Sequence, residues 1–312
     1  MSEAIEEVKE GVEPRITRLD LMRPIVQDIV LGKKKLSYSA ISNFIDSPKD
    51  FSDYKLRAKV ETPAMIYGSM IHCLVLEPKE FEARYYTIDD SDMVEALRSE
   101  GSKNPRATNK YKEWLSVTEQ MANGRIIVAP KDYAHAKVVA YNVRTNRASA
   151  RLLAACPLRE QKVEWEFLNF GWQGVIDMEG ETDTADLKTM PDANREKVDR
   201  EIKRRRLYLQ AVMYGMGSMS RDLKPGEVLE YLVAKDKKKK HVIAVDKLGG
   251  ISVHTMHNRL LEYGLEELTH YVKLFNYCYT IEGWDMSQDF YGHPWNGAFV
   301  CEKSGYMLNA EF

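Results

Sequence analysis

Residues 160–189 read EQKVEWEFLNFGWQGVIDMEGETDTADLKT, and this stretch decides the fold. Across 161–168, polar residues alternate with Val163, Trp165 and Phe167, the two-residue period of a half-buried strand. Asn169-Phe170-Gly171 supplies a turn, and 172–178 is expected as the returning strand. Glu179-Gly180 starts another turn, and 182–188 makes a third strand. Residues two apart in a strand share a face, so Asp186 and Lys188 project together while Leu187 points the other way. Asp177, at the end of the neighbouring strand, can reach the same place. Gathering carboxylates and one lysine at one spot is costly unless a cation joins them.

Carboxylate oxygens with no thiol or paired imidazole nearby suit Mg²⁺ or Mn²⁺ rather than zinc. Such an ion activates water and stabilises the leaving oxygen of a phosphodiester. Lys188 would then hold the attacking water or neutralise charge in the transition state. Asp-x-Lys alone is common, and most examples are solvated surface pairs worth little. The informative feature is its combination with what surrounds it.

That combination is the ordered set Gly68-x-x-x-His72, Glu160, Gly174-x-x-Asp177, Asp186-x-Lys188 and Gln210-x-x-x-Tyr214. It resembles the PD-(D/E)xK nuclease superfamily, and within it the RecE/RecB-type exonucleases, relatives of lambda exonuclease with the exonuclease VIII-type domain. Leu36-Ser37-Tyr38-Ser39, Ser47-Pro48-Lys49-Asp50-Phe51 and the run from Thr62 to Pro78 resemble the opening of RecE-like phage domains. The likeness spans roughly residues 36–285. It implies an α/β, restriction-endonuclease-like fold with a central mixed sheet flanked by helices. The expected domain is 36–312, preceded by an extension over 1–35.

The resemblance also implies a function: a Mg²⁺-dependent exonuclease digesting double-stranded DNA ends from 5′ to 3′. It would release mononucleotides and leave a 3′ single strand for phage-type recombination. Asp177 and Asp186 would ligate the metal, helped by the Leu187 carbonyl, with Mn²⁺ able to substitute. Glu160 and His72 would serve the second metal position; Glu160, Glu164 and Glu166 share strand parity, so which acid acts stays open. Lys188 would position the water, and Gln210 and Tyr214 would hold the scaffold or the DNA strand. A ring-shaped homo-oligomer, trimer or tetramer, and a single-strand annealing protein are the implied partners. The implied place is the cytoplasm of a bacterial host, with a phage as one source of the gene. The alternatives are a structure- or site-specific endonuclease on the same fold, or a DNA-binding protein with a decayed site. The full acidic and lysine set argues against decay.

The rest of the chain narrows this reading. The net charge of −2 advertises no nucleic acid, so DNA contact must come from local patches. The best patch is Lys203-Arg204-Arg205-Arg206; Lys203, Arg206, Gln210 and Tyr214 would form one polar stripe if 192–218 were a continuous helix. A break near 204–207 is the other possibility for that segment. The four cysteines, 73, 156, 278 and 301, are scattered, which suits reduced thiols and argues against a clustered iron–sulfur staple. No apolar run approaches the roughly 18 residues of a membrane span, and no signal-peptide pattern opens the chain. No nucleotide-binding Gly-rich lysine loop occurs, so a helicase motor is not expected.

Other expected elements are a short helix near 19–31 and a second around Ile41–Ile45. Thr62-Pro63 starts a helix running to about Leu76, with Gly68 and His72 one turn apart on one face. An exposed loop is expected over 86–110, helices at 109–122 and 131–155, and a strand at 125–128. Strands at 228–234 and 241–246 would be joined by the lysine-rich 235–240, followed by a long amphipathic helix over 251–281. The tail holds Trp284, Pro294 and Trp295, aromatics suited to covering a core edge or interface.

Overall fold

The computed structural model describes residues 16–222 and 236–287. The chain divides into two compact units. The first comprises 1–58, 165–173 and 266–312. Its helix α1 (Arg18–Val30) opens on a capping box: the Thr17 hydroxyl accepts the Asp20 amide, and Asp20 accepts the Thr17 amide. Ser37 caps α2 (Tyr38–Asp46), and Ser47 caps α3 (Pro48–Leu56), where proline at the first helical position has no amide to waste. Phe44, Phe51 and Phe170 each meet Phe275 edge-on, with ring centroids 5.1–5.4 Å apart. Trp284 completes this cluster and is buried, as expected of a tail aromatic covering a core edge. Pro294, Trp295, Cys301 and residues 1–15 lie outside the described residues.

The hairpin of β3 (Leu158–Phe167) and β4 (Phe170–Glu179) turns at Leu168 and Asn169, not at 169–171. Both turn residues are left-handed (φ 49° and 66°), as a two-residue hairpin loop requires. The reason for the shift is burial: Phe170 and Trp172 both belong on the covered face, so Phe170 must already be in strand.

The second unit comprises 59–164 and 174–265. Its sheet has the order β3-β4-β5-β6-β7. Strand β5 (Asp183–Thr189) runs antiparallel to β4 and parallel to β6 (Lys239–Val245), and β7 (Ile251–Thr255) runs antiparallel to β6. This is the mixed sheet expected of the fold. Helices α4 (Pro63–Leu76) and α8 (Pro130–Thr145) cover it: Ile71, Val139 and Val143 share a buried core with Met178, Leu187 and Ile243. Thr62 caps α4 as its sequence predicts.

Several expectations are corrected. The segment 86–110 is not one loop: after α5 (Phe81–Arg84), β1 (Tyr85–Thr87) pairs in parallel with β2 (Ile126–Val128). Helix α6 (Ser91–Ser99) then buries Val94 and Leu97 against Tyr111 of α7 (Asn109–Ala122). The helix over 131–155 breaks at Asn146, whose side chain caps α9 (Arg147–Ala155). Residues 251–255 form β7 rather than helix, because Ile251-Ser-Val-His-Thr alternates; α12 (Asn258–Ile281) starts afterwards. Residues 228–234 lie outside the described residues, and the neighbours of β6 are β5 and β7. The lysine-rich run is not a simple connector: Lys238 is bonded to Glu179, and Lys239 and Lys240 already belong to β6, where Lys240 is buried.

Candidate active site

Two glycines explain why helix and sheet meet where they do. At Gly68 of α4, a Cβ would lie 3.0 Å from Thr189 Oγ1, so glycine lets this helix lie close on β5. One turn later His72 reaches the Leu187 backbone, its Nε2 hydrogen-bonded to the carbonyl oxygen. A carbonyl only accepts, so Nε2 carries the proton and Nδ1 faces away from that bond. Nδ1 lies 3.8 Å from Asp177 Oδ2 and 3.9 Å from Glu160 Oε1. His72, Glu160 and Asp177 each offer a ligand atom within 4.8 Å of the others.

Asp177 also anchors backbone. Its Oδ2 accepts the Leu187 amide at 2.8 Å, so one carboxylate pins β5 beside the histidine. Glu160 arrives there by an unusual backbone, φ 48°, in the middle of a strand. A left-handed non-glycine residue costs roughly 1–2 kcal/mol, and such costs cluster where a side chain must be re-aimed. Glu164 and Glu166 stay on regular backbone and are exposed, so the structure brings Glu160 alone of the three to the histidine.

Asp186 and Lys188 share a face as their spacing predicts, and Lys188 Nζ lies 2.9 Å from Oδ1 and 2.8 Å from Oδ2. Asp186 is not among the three clustered ligand atoms; in this structure it is engaged by Lys188. Burial pushes the Asp186 carboxyl up to about 6, against the pull of Lys188. Burial works against the charged Lys188 ammonium, but Asp186 and Asp177 outweigh it and raise its pKa. For His72, burial disfavours the cation while Asp177 and Glu160 favour it more, and the balance is upward. The upward shifts of His72 and Lys188, both against burial, report an excess of negative charge, which suits a divalent cation. The donor set, two carboxylates and one imidazole nitrogen with Asp186 close by, fits Mn²⁺ or Mg²⁺.

The second glycine is Gly174 of β4, where a Cβ would come 2.7 Å from Tyr214 Cε1. The Tyr214 ring therefore rests on bare backbone, and its hydroxyl oxygen accepts a hydrogen bond from Gln210 Nε2 at 2.8 Å. Burial pushes the Tyr214 phenol up to about 12. The paired sequence patterns around Gly174 and Tyr214 are two halves of one contact.

The continuous basic stripe is corrected. Helix α10 (Arg195–Arg204) ends at Arg205, and Arg206 takes a left-handed conformation (φ 50°) before α11 (Leu207–Ser220). Lys203 and Arg206 thus lie on different helical segments from each other and share no stripe. Arg205, not singled out within the run, lines an open cleft of about 690 Å³ with Gly68, His72, Glu160, Lys188 and Thr189. Arg204 and Arg205 both pair with Glu201, which they hold down at about 2. No signal in the sequence distinguishes Arg205 from its neighbours; the helix break does.

Residues 37–287 match the family described as a PDDEXK-like domain of unknown function (DUF3799), and the chain belongs to that family. A protein from Eubacterium rectale whose crystal structure is described as "putative exonuclease" shares the fold, with a TM-score of 0.52 at 11% identity. The match covers 90% of this chain and 95% of that one. No curated protein sequence matches the chain. Nuclease chemistry is what the PD-(D/E)xK class implies, and this chain carries that class's fold. Among the described residues, no helix is long and apolar enough to cross a membrane.

Proposed function

We propose that this protein is a divalent-metal-dependent exonuclease acting on double-stranded DNA ends from 5′ to 3′, with residues 36–312 as the nuclease domain. The observation that supports it best is the convergence of His72, Glu160 and Asp177, with His72 and Glu160 lining one cleft together with Lys188, the partner of Asp186. His72 through Nδ1, Glu160, Asp177 and Asp186 would hold the ion, with the Leu187 carbonyl adjoining. When bound, Mg²⁺ or Mn²⁺ supplies Lewis acidity to the scissile phosphate and lowers the pKa of attacking water.

The chain's own groups do the rest. Asp177 fixes the Leu187 amide, and the Leu187 carbonyl fixes the His72 tautomer, so the donor atoms are oriented beforehand. Lys188 is placed to orient water for attack on phosphorus, and its charge offsets the negative charge that develops. Arg205, with the neighbouring Lys203, Arg204 and Arg206, would meet backbone phosphates entering the cleft. Gln210 and Tyr214 brace the strand that carries Asp177.

A ring-shaped homo-oligomer and a single-strand annealing partner belong to this proposal, on the strength of the family resemblance. The test uses linear duplex labelled separately at its 5′ and 3′ ends, plus closed circular DNA, with Mg²⁺ and with EDTA. The proposal expects early loss of 5′ label in Mg²⁺ only and an intact circle. Nicking of the circle would instead identify an endonuclease, and cleavage in EDTA would remove the metal from the account.

A further inference from the structure

Behind the candidate active site, between β4, β5, β6 and α11, lies a small, partly open cavity of about 20 Å³. Asp186, Gln210, Tyr214, Thr184 and Lys240 are among its lining residues. Among the described residues, four buried side-chain atoms lack a hydrogen-bond partner: Asp186 Oδ2, Gln210 Oε1, Lys240 Nζ and Trp165 Nε1. The first three belong to residues lining this one cavity.

Each is deprived for a visible reason. Asp186 Oδ2 is in ion contact with Lys188 Nζ at 2.8 Å, yet only Oδ1 receives its hydrogen bond. Gln210 spends its amide N–H on Tyr214, which leaves the carbonyl oxygen over. Lys240 is 4% exposed; its Nζ touches Asp236 Oδ2 at 2.6 Å without satisfying its donors. Strand register puts Lys240 level with Thr184 and Val242 level with Asp186 on the parallel neighbour. Lys240 therefore shares the sheet face of Asp186, two residues along the ladder.

A buried water needs roughly 10–15 Å³ of probe-sized space and two to four polar partners. Two acceptors and one cationic donor are what a single water can serve, donating twice and accepting once. A cation would be repelled by the Lys240 ammonium, and an anion by the Asp186 carboxylate. We propose that one internal water joins Lys240 to Asp186 Oδ2 and Gln210 Oε1, making Lys240 a positioning residue that holds the Asp186 carboxylate from behind. Lys240 touches neither the cleft nor DNA in this arrangement; it acts through the water. The functional half of this inference rests on the reading of Asp186 as a metal ligand, whereas the water itself does not.

The test has two arms. A crystal structure of the full chain at about 1.5 Å should show one solvent peak within hydrogen-bonding distance, roughly 2.7–3.2 Å, of all three atoms. A wild-type cavity without that peak, or with a water that does not contact Asp186, overturns the proposal whatever Asp186 does. The kinetic arm compares Lys240→Met, an apolar near-isostere, with Lys240→Gln, which restores an N–H donor without the charge. Lys240→Met should lower kcat about tenfold, the scale of one hydrogen bond to a charged group, with KM for DNA unchanged. Lys240→Gln should recover most of that loss. Equal kcat values for the two variants, at equal thermal midpoints, would leave Lys240 a packing residue and overturn its positioning role. Full activity in Asp186→Asn would instead refute the metal-ligand reading and leave the crystallographic result standing.

Discussion

Gly174→Ala tests whether the Gly174 and Tyr214 patterns form one contact. The added methyl would sit 2.7 Å from Tyr214 Cε1 and 3.1 Å from Cδ1. Carbon atoms pack best near 3.5–4.0 Å, so the ring must retreat by about 1 Å. Overpacking of this kind costs roughly 1–3 kcal/mol, offset by up to about 1 kcal/mol from the stiffer unfolded chain. The net expectation is a loss of about 1–2 kcal/mol, or about 1.5–3 °C in thermal midpoint for a chain of this size. Tyr214→Ala removes the ring, so the methyl should then cost almost nothing. The assay is a double-mutant cycle on thermal midpoints for Gly174→Ala, Tyr214→Ala and the pair, with a coupling above about 1 kcal/mol. Strict additivity would refute the contact and with it the account of why those two patterns occur together.

Three further outcomes follow from the same geometry. Lys188→Met should cut cleavage at saturating metal by at least about a hundredfold, yet calorimetry should still detect Mn²⁺ binding, because the carboxylate and imidazole ligands remain. Glu179 is buried, and although burial pushes its pKa up, bonds from Ser218, Arg221 and Lys238 bring it below the ordinary value. Its stabilisation is therefore present above the unfolded carboxylate pKa and lost as pH falls through the folded one. Glu179→Gln should cost about 2 kcal/mol at pH 7, since its cationic partners are partly exposed, and the gap to wild type should close in urea titrations below about pH 4. Arg205→Ala should weaken DNA binding regardless of sequence and shrink the logarithmic salt slope by about 0.9, whereas Arg204→Ala should change the slope less.

Much of this is legible in the sequence because local rules decide it. Strand alternation places Asp186 with Lys188, and Thr62-Pro63 announces α4. Strand parity cannot separate Glu160 from Glu164 and Glu166; only its distance ahead of the Trp in the family resemblance favours Glu160, and in the structure a left-handed backbone at 160 sets it apart. Periodicity likewise cannot show that the helix over 192–218 breaks at Arg206, because both halves keep helical composition. The turn at 168–169 is masked because Gly171 looks like a turn residue, while the burial of Phe170 and Trp172 has the stronger claim. Lys240 hides within a lysine run, where composition signals solvent and only register against Thr184 reveals burial.

Everything proposed for this site depends on His72, Glu160 and Asp177 holding a divalent cation. That binding is tested most directly by Mn²⁺ soaked into crystals and located by its anomalous scattering. A peak should appear about 2–2.5 Å from His72 Nδ1 and from carboxylate oxygens of Glu160 and Asp177, with Asp186 close enough to join them. A peak elsewhere with Glu160 turned away, or no peak at Mn²⁺ concentrations that support DNA cleavage, would contradict it.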